Sequence, residues 1–120
     1  MRPEIPALLW DARKAAELIM QFVAGRDWDA YRSDALLRSA VERQFQIIGE
    51  ALGKVGRLDP ETASRIDELR RIVAFRNVLV HGYAVIDDEL VWEVASQRVG
   101  PLASLLAGLL SEYDEDGSGS

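Results

Sequence analysis

Apolar residues recur at spacings of three and four along most of this chain, the pattern of amphipathic helices. Between Pro6 and Ala24 the apolar positions are Leu8, Leu9, Ala12, Ala15, Ala16, Ile19, Phe22 and Val23, and Gly25 is a natural stop. The polar stretch from Arg26 to Arg32 reads as a connection, with Trp28 and Tyr31 covering the core edge. A second helix is predicted from a cap at Ser33 or Asp34 to about Leu52, carrying Leu37, Ala40, Val41, Ile47, Ile48, Ala51 and Leu52. Gly53 to Gly56 then read as a loop. Asp59-Pro60 opens a third helix, with Asp as cap and Pro in the first turn, and Gly82 weakens it just after His81. The acids Asp87, Asp88 and Glu89 suit the start of a fourth, which runs to about Leu110 with a kink expected at Gly100-Pro101.

No segment shows strand periodicity with a hairpin signal, and no repeat is visible. The fold class is therefore all-α, a helical bundle. Residues 1–111 are expected to form a single domain. Residues 112–120, acidic and rich in Gly and Ser, are expected to be a disordered tail.

Composition narrows the chemistry. A length of 120 residues suits one domain with a modest core. With no cysteine and one histidine, disulfides, thiolate zinc sites and cysteine nucleophiles are excluded. Glu42 and Glu50 fall eight residues apart without a histidine to join them, so no metal site and no cofactor is expected. The N-terminus lacks the basic-then-apolar pattern of a secretory signal, and no apolar run is long enough to cross a bilayer. A cytoplasmic protein with no membrane partner is the resulting expectation.

The net charge of −6 argues against broad nucleic-acid binding, but it is unevenly spread. Residues 54–76 carry six bases against four acids, whereas from Asn77 onward Arg98 stands alone against eight acids. The plain reading is a solvated helix face followed by an acidic tail. The sharper one is a local basic patch that admits RNA.

That patch leads into Arg76-Asn77-Val78-Leu79-Val80-His81-Gly82-Tyr83, which holds the only histidine. Imidazole can both take and give a proton near neutrality, and a guanidinium suits a phosphate or the charge that builds on it. On an ideal helix Asn77 and His81 share a face, while Arg76 and His81 lie about 140° apart. They line one cleft only if it wraps the helix end or the last turn unwinds. RNA cleavage by transesterification needs a base and an acid, and one imidazole serves both poorly. A two-fold dimer would bring two copies of this helix end together. The same residues also admit a structural reading: His81 as a C-terminal cap, Arg76 as an ion-pair partner, Tyr83 as a core-edge aromatic.

The longer block from Ile72 to Tyr83 resembles the core motif of the HepT toxin family of the HEPN superfamily, with its Arg-x4-His-x-Tyr signature. Val41-Glu42-Arg43, Ile47-Ile48-Gly49-Glu50-Ala51 and Val91-Trp92 resemble that family's other helix blocks, in order. The segment Ser64 to Arg71 departs from it, lacking the Pro-x-x-Trp found there in relatives. The resemblance implies a HEPN-type four- to five-helix up-and-down bundle, homodimeric, with a metal-independent endoribonuclease centre in the dimer cleft. It implies an RNA substrate and catalytic roles for Arg76 and His81, supported by Asn77. It also implies a type VII-like toxin-antitoxin system, in which an MntA-type minimal nucleotidyltransferase antitoxin AMPylates Tyr83. The alternative within the superfamily is a noncatalytic, substrate-binding partner of a nucleotidyltransferase.

Overall fold

A computed structural model describes residues 2–81 and 86–118, by backbone alone from 115 onward. Among these residues the chain forms seven helices and no strand: α1 (Glu4–Val23), α2 (Trp28–Ser33), α3 (Ala35–Leu58), α4 (Pro60–Ala63), α5 (Leu69–His81), α6 (Asp88–Gln97) and α7 (Val99–Ser118). The architecture is an up-and-down all-α bundle. Its centre is α1, which packs along both α3 and α7. Ile5, Leu9, Ala12, Ala16 and Ile19 of α1 are fully buried there against Val41, Ile48 and Leu52 of α3 and Leu106 of α7.

Aspartate starts four of these helices. The side chains of Asp27, Asp34, Asp59 and Asp87 accept hydrogen bonds from the amides of Ala30 (2.8 Å), Leu37 (3.0 Å), Thr62 (3.1 Å) and Leu90 (3.2 Å). Each satisfies an amide that the first turn leaves without a partner. Those bonds hold the carboxyls of Asp34 and Asp59 below the usual carboxylate range. The chain turns out of α1 at Gly25, the one glycine with positive φ (72°) among the described residues.

Several expected boundaries move. The second helix does not stop at Gly53 but continues to Leu58. A helical glycine costs about 1 kcal/mol relative to alanine, while burying Leu52 and Val55 returns roughly 2 kcal/mol each, so packing wins. The expected third helix divides into α4 and α5. Between them Arg65 and Ile66 donate to the carbonyls of Thr62 and Ala63, and this tight turn drops Ile66 into the core at 3% exposure. The expected fourth helix divides at Arg98, two residues before the predicted kink. Pro101 then falls in the first turn of α7, where its missing N–H is not needed. The stretch read as a connection is itself the short helix α2, seated by stacking of Tyr31 between Trp28 and Trp92, with ring centroids 6.3 and 5.3 Å apart.

α5 packs extensively on α3 alone. The two run antiparallel: Gly56 lies beside Leu69, Gly53 beside Val73 and Gly49 beside Arg76. Phe45 and Phe75 add an edge-to-face pair at 5.1 Å. On the other side, α5 faces an apolar groove of about 270 Å³ toward α6 and α7. Glu68 spans its lower end to Arg98 at 2.7 Å.

Candidate active site

The C-terminal half of α5 carries three of the four residues singled out in the sequence. Leu79 is its one buried residue and fixes the helix's rotation, turning Asn77, Val78, Val80 and His81 outward. His81 is the last helical residue and is exposed, so its ring is open to a substrate. Asn77 lies one turn earlier, on the same face.

Arg76 points the other way around the helix and is half-buried against α3. Its Nε is buried with no hydrogen-bond partner among the described residues, while its Nη1 donates to Oδ1 of Asn77 at 3.2 Å. Asn77 therefore links the two sides of the helix end: its carboxamide holds Arg76, and its position on the helix places it beside His81. Tyr83 and Gly82 lie outside the described residues.

The basic stretch is partly neutralised by acidic partners, one of them distant in sequence. Arg65 pairs with Glu112 of α7 at 2.6 Å, and Arg71 and Arg98 converge on Glu68 at 3.9 and 2.7 Å. Among the described residues Arg57, Arg70 and Arg76 make no ion pair, so the free positive charge is smaller than composition suggested and concentrated along α5 and its neighbour. Nor does any group of three or more His, Asp or Glu side chains converge as a metal-ligand set among those residues. No helix described is long and apolar enough to cross a membrane.

At the other end of the α2–α3–α6 junction, Arg38 reaches Asp88 at 3.8 Å beside Glu42 and Tyr31. Burial, then the Asp88 carboxylate, pushes Glu42 up from its ordinary value, with Arg38 opposing. Burial likewise raises the Tyr31 hydroxyl.

One known family matches most of the chain. A model of the HepT-like ribonucleases covers residues 12–108, which includes every helix that builds the site. The chain belongs to the HepT-like ribonuclease family. It is 28% identical over 96 residues to a Methanocaldococcus jannaschii protein named as a putative RNase, covering 80% of this chain and 87% of that one. A second so named from the same organism is 24% identical over 112 residues, covering 93% and 96%. A third is 26% identical over 96 residues, covering 80% and 78%. No solved structure matches the chain. The bundle expected from the resemblance is thus the family's own, with helices more finely divided than four or five.

Sequence reasoning passed over Gly49 as a residue of the site. In the sequence Gly49 stands only inside the block Ile47 to Ala51 that resembles the family, and its helix gives no sign that Arg76 of α5 crosses it.

Proposed function

We propose that this protein is the ribonuclease toxin of a toxin-antitoxin pair, cleaving RNA without a metal through Arg76 and His81. The observation that carries this reading is the end of α5: an exposed imidazole, with Asn77 one turn before it bonded to the only arginine of the motif. The family match supports the substrate class. A neutral His81 takes the proton of a ribose 2′-hydroxyl, and the oxygen attacks the adjacent phosphorus. The P–O5′ bond breaks, and the leaving oxygen takes a proton from the imidazolium of a second copy. The products are a 2′,3′-cyclic phosphate and a 5′-hydroxyl. Arg76 stabilises the charge on the phosphoryl oxygens, and Asn77 holds Arg76 in place.

A homodimer is part of this proposal. Val78 and Val80, 59% and 41% exposed, flank the Asn77 and His81 face of α5 on either side and offer apolar surface to a second copy. The control step is assigned to Tyr83, which a nucleotidyltransferase antitoxin modifies with AMP in the cytoplasm. An added phosphate and base there neutralise Arg76 and fill the RNA path.

The test is induced expression of the parent chain and of His81→Ala without the antitoxin, with growth and total RNA followed together. Growth arrest and RNA cleavage by the parent alone, persisting with chelator in extract, are expected. Equal growth with intact RNA, from folded and unmodified protein, overturns the nuclease reading in favour of a noncatalytic partner of a nucleotidyltransferase. Tyr83→Phe should cleave like the parent but escape silencing by the antitoxin.

A further inference from the structure

Gly49 lies in the middle of α3, where alanine would make the better helix. Its backbone is not left-handed, so conformational freedom is not what it supplies. What it supplies is closeness. A Cβ at this position would lie 2.2 Å from Cβ and 2.6 Å from Cγ of Arg76, and 3.4 Å from the carbonyl oxygen of Ile72. Carbon atoms in contact sit at about 3.5–4.0 Å, so no residue with a side chain fits between these helices as they stand.

The closeness is local. One turn along the same face, a Cβ on Gly53 would meet its nearest atoms at 3.6 and 3.8 Å, ordinary contact. A second observation concerns the arginine itself. Its Nε is buried and unpartnered while Nη1 reaches Asn77, so the stem is pressed onto α3 and only the tip of the guanidinium emerges. An arginine stem otherwise has several rotatable bonds and many positions for its charge. Here the bare backbone of α3 removes most of them.

We propose that Gly49 is a positioning residue for Arg76: its missing side chain forms the seat on which the arginine stem lies, fixing the guanidinium beside Asn77. The effect on cleavage rests on the ribonuclease reading above; the seat does not. A methyl group at position 49 must push Cβ of Arg76, and the turn of α5 that carries it, outward by about 1.3 Å or more to restore contact distance. Displacement of that size at a catalytic group costs on the order of 100-fold in rate.

The test uses the full ¹⁵N-labelled chain, as parent, Gly49→Ala and Gly53→Ala. The Nε–H resonance of Arg76, assigned by its loss in Arg76→Lys, should exchange slowly in the parent and in Gly53→Ala. In Gly49→Ala it should shift and exchange like a surface arginine. Single-turnover RNA cleavage should fall about 100-fold in Gly49→Ala with RNA affinity nearly kept, and stay at the parent rate in Gly53→Ala. Parent-like resonance and cleavage in Gly49→Ala overturn the proposal and leave the nuclease reading standing. If the parent cleaves no RNA, the nuclease reading fails and the resonance alone decides the seat. If Gly49→Ala does not fold, the parent decides: a rapidly exchanging Arg76 Nε–H means no seat exists, and a protected one supports it.

Discussion

α3 and α5 lie side by side, yet they are held in different ways. α3 buries residues along its whole length, from Leu37 to Val55, and is gripped by α1 on one side and α5 on the other. α5 has one buried residue, Leu79, and beyond α3 it borders a groove rather than a packed neighbour. α3 carries none of the four residues singled out around His81, and the lightly held α5 carries Arg76, Asn77 and His81. The difference separates two tasks: α1, α3 and α7 make the fold, and α5 carries the residues proposed for the chemistry. The one place where the tasks meet is Gly49 against Arg76, where the scaffold shapes the site directly.

That separation predicts a crossed pair of effects, the largest available. His81→Ala should lower RNA cleavage about 1,000-fold, the scale of a lost proton-transfer group, with unfolding by urea unchanged because the ring is exposed. Leu106→Ala, at a fully buried position of α7, should destabilise the fold by about 3 kcal/mol while cleavage per folded molecule stays at the parent value. A His81→Ala chain that unfolds early, or a Leu106→Ala chain that is folded but inactive, breaks the comparison.

Much of this division was legible in the chain. The three-four spacing gave the helices, and the Asp59-Pro60 start and the acids at 87–89 mark true helix beginnings. The candidate motif is legible because it is a run of neighbours, which is why Arg76, Asn77 and His81 fall on one helix. The boundaries were less so. Gly53 and Gly56 look like a loop on propensity, and only the burial of Leu52 and Val55 between two neighbouring helices overrides it. The Asp27 cap was hidden because α2 has too few residues to show a period. Gly49 was illegible for a deeper reason: its neighbour Arg76 is 27 residues away, and no local pattern reports a distance between helices.

A smaller effect sharpens the contrast in dynamics. Helices with few buried contacts open at lower free energy than those gripped on two sides. Amides in the C-terminal half of α5 should therefore exchange with solvent faster than those of α3 between Val41 and Val55, by hydrogen exchange at neutral pH. Leu79→Ala should widen that gap, costing about 2 kcal/mol at the low end of the core range, and should speed α5 more than α3. Equal protection in the two helices would mean that another surface, such as the second copy, already grips α5.

Acid tests the scaffold's helix starts. The carboxyls of Asp34 and Asp59 are held low by the amides of Leu37 and Thr62, so the fold binds their protons more weakly than the unfolded chain does. Their contribution is complete above the ordinary carboxylate range and is lost as pH falls through the lowered folded values. Asp34 caps α3 itself, and Asp59 caps α4 just after the end of α3. Stability measured by urea should fall on the acid side, and Asp59→Asn should flatten part of that fall. An unchanged acid profile in that variant would assign the loss to other groups.

Glu42 works in the opposite sense, and its effect should be the smallest. Burial and the nearby Asp88 carboxylate raise its carboxyl, so the folded chain holds this proton more tightly than the unfolded one. Its contribution is present below the unfolded value and lost as pH rises through the raised folded value. At neutral pH an ionised Glu42 therefore opposes the fold, in the same helix whose cap at Asp34 favours it. Glu42→Gln keeps the shape, removes the charge and leaves Arg38 its contact with Asp88. The variant should be slightly more stable than the parent at pH 7, by less than a typical core substitution because the group is only partly buried. The advantage should shrink as pH drops into the carboxylate range, where the parent's Glu42 gains its proton. An advantage that stays constant with pH would come from packing and not from charge, and α3 would then carry no electrostatic burden at this point.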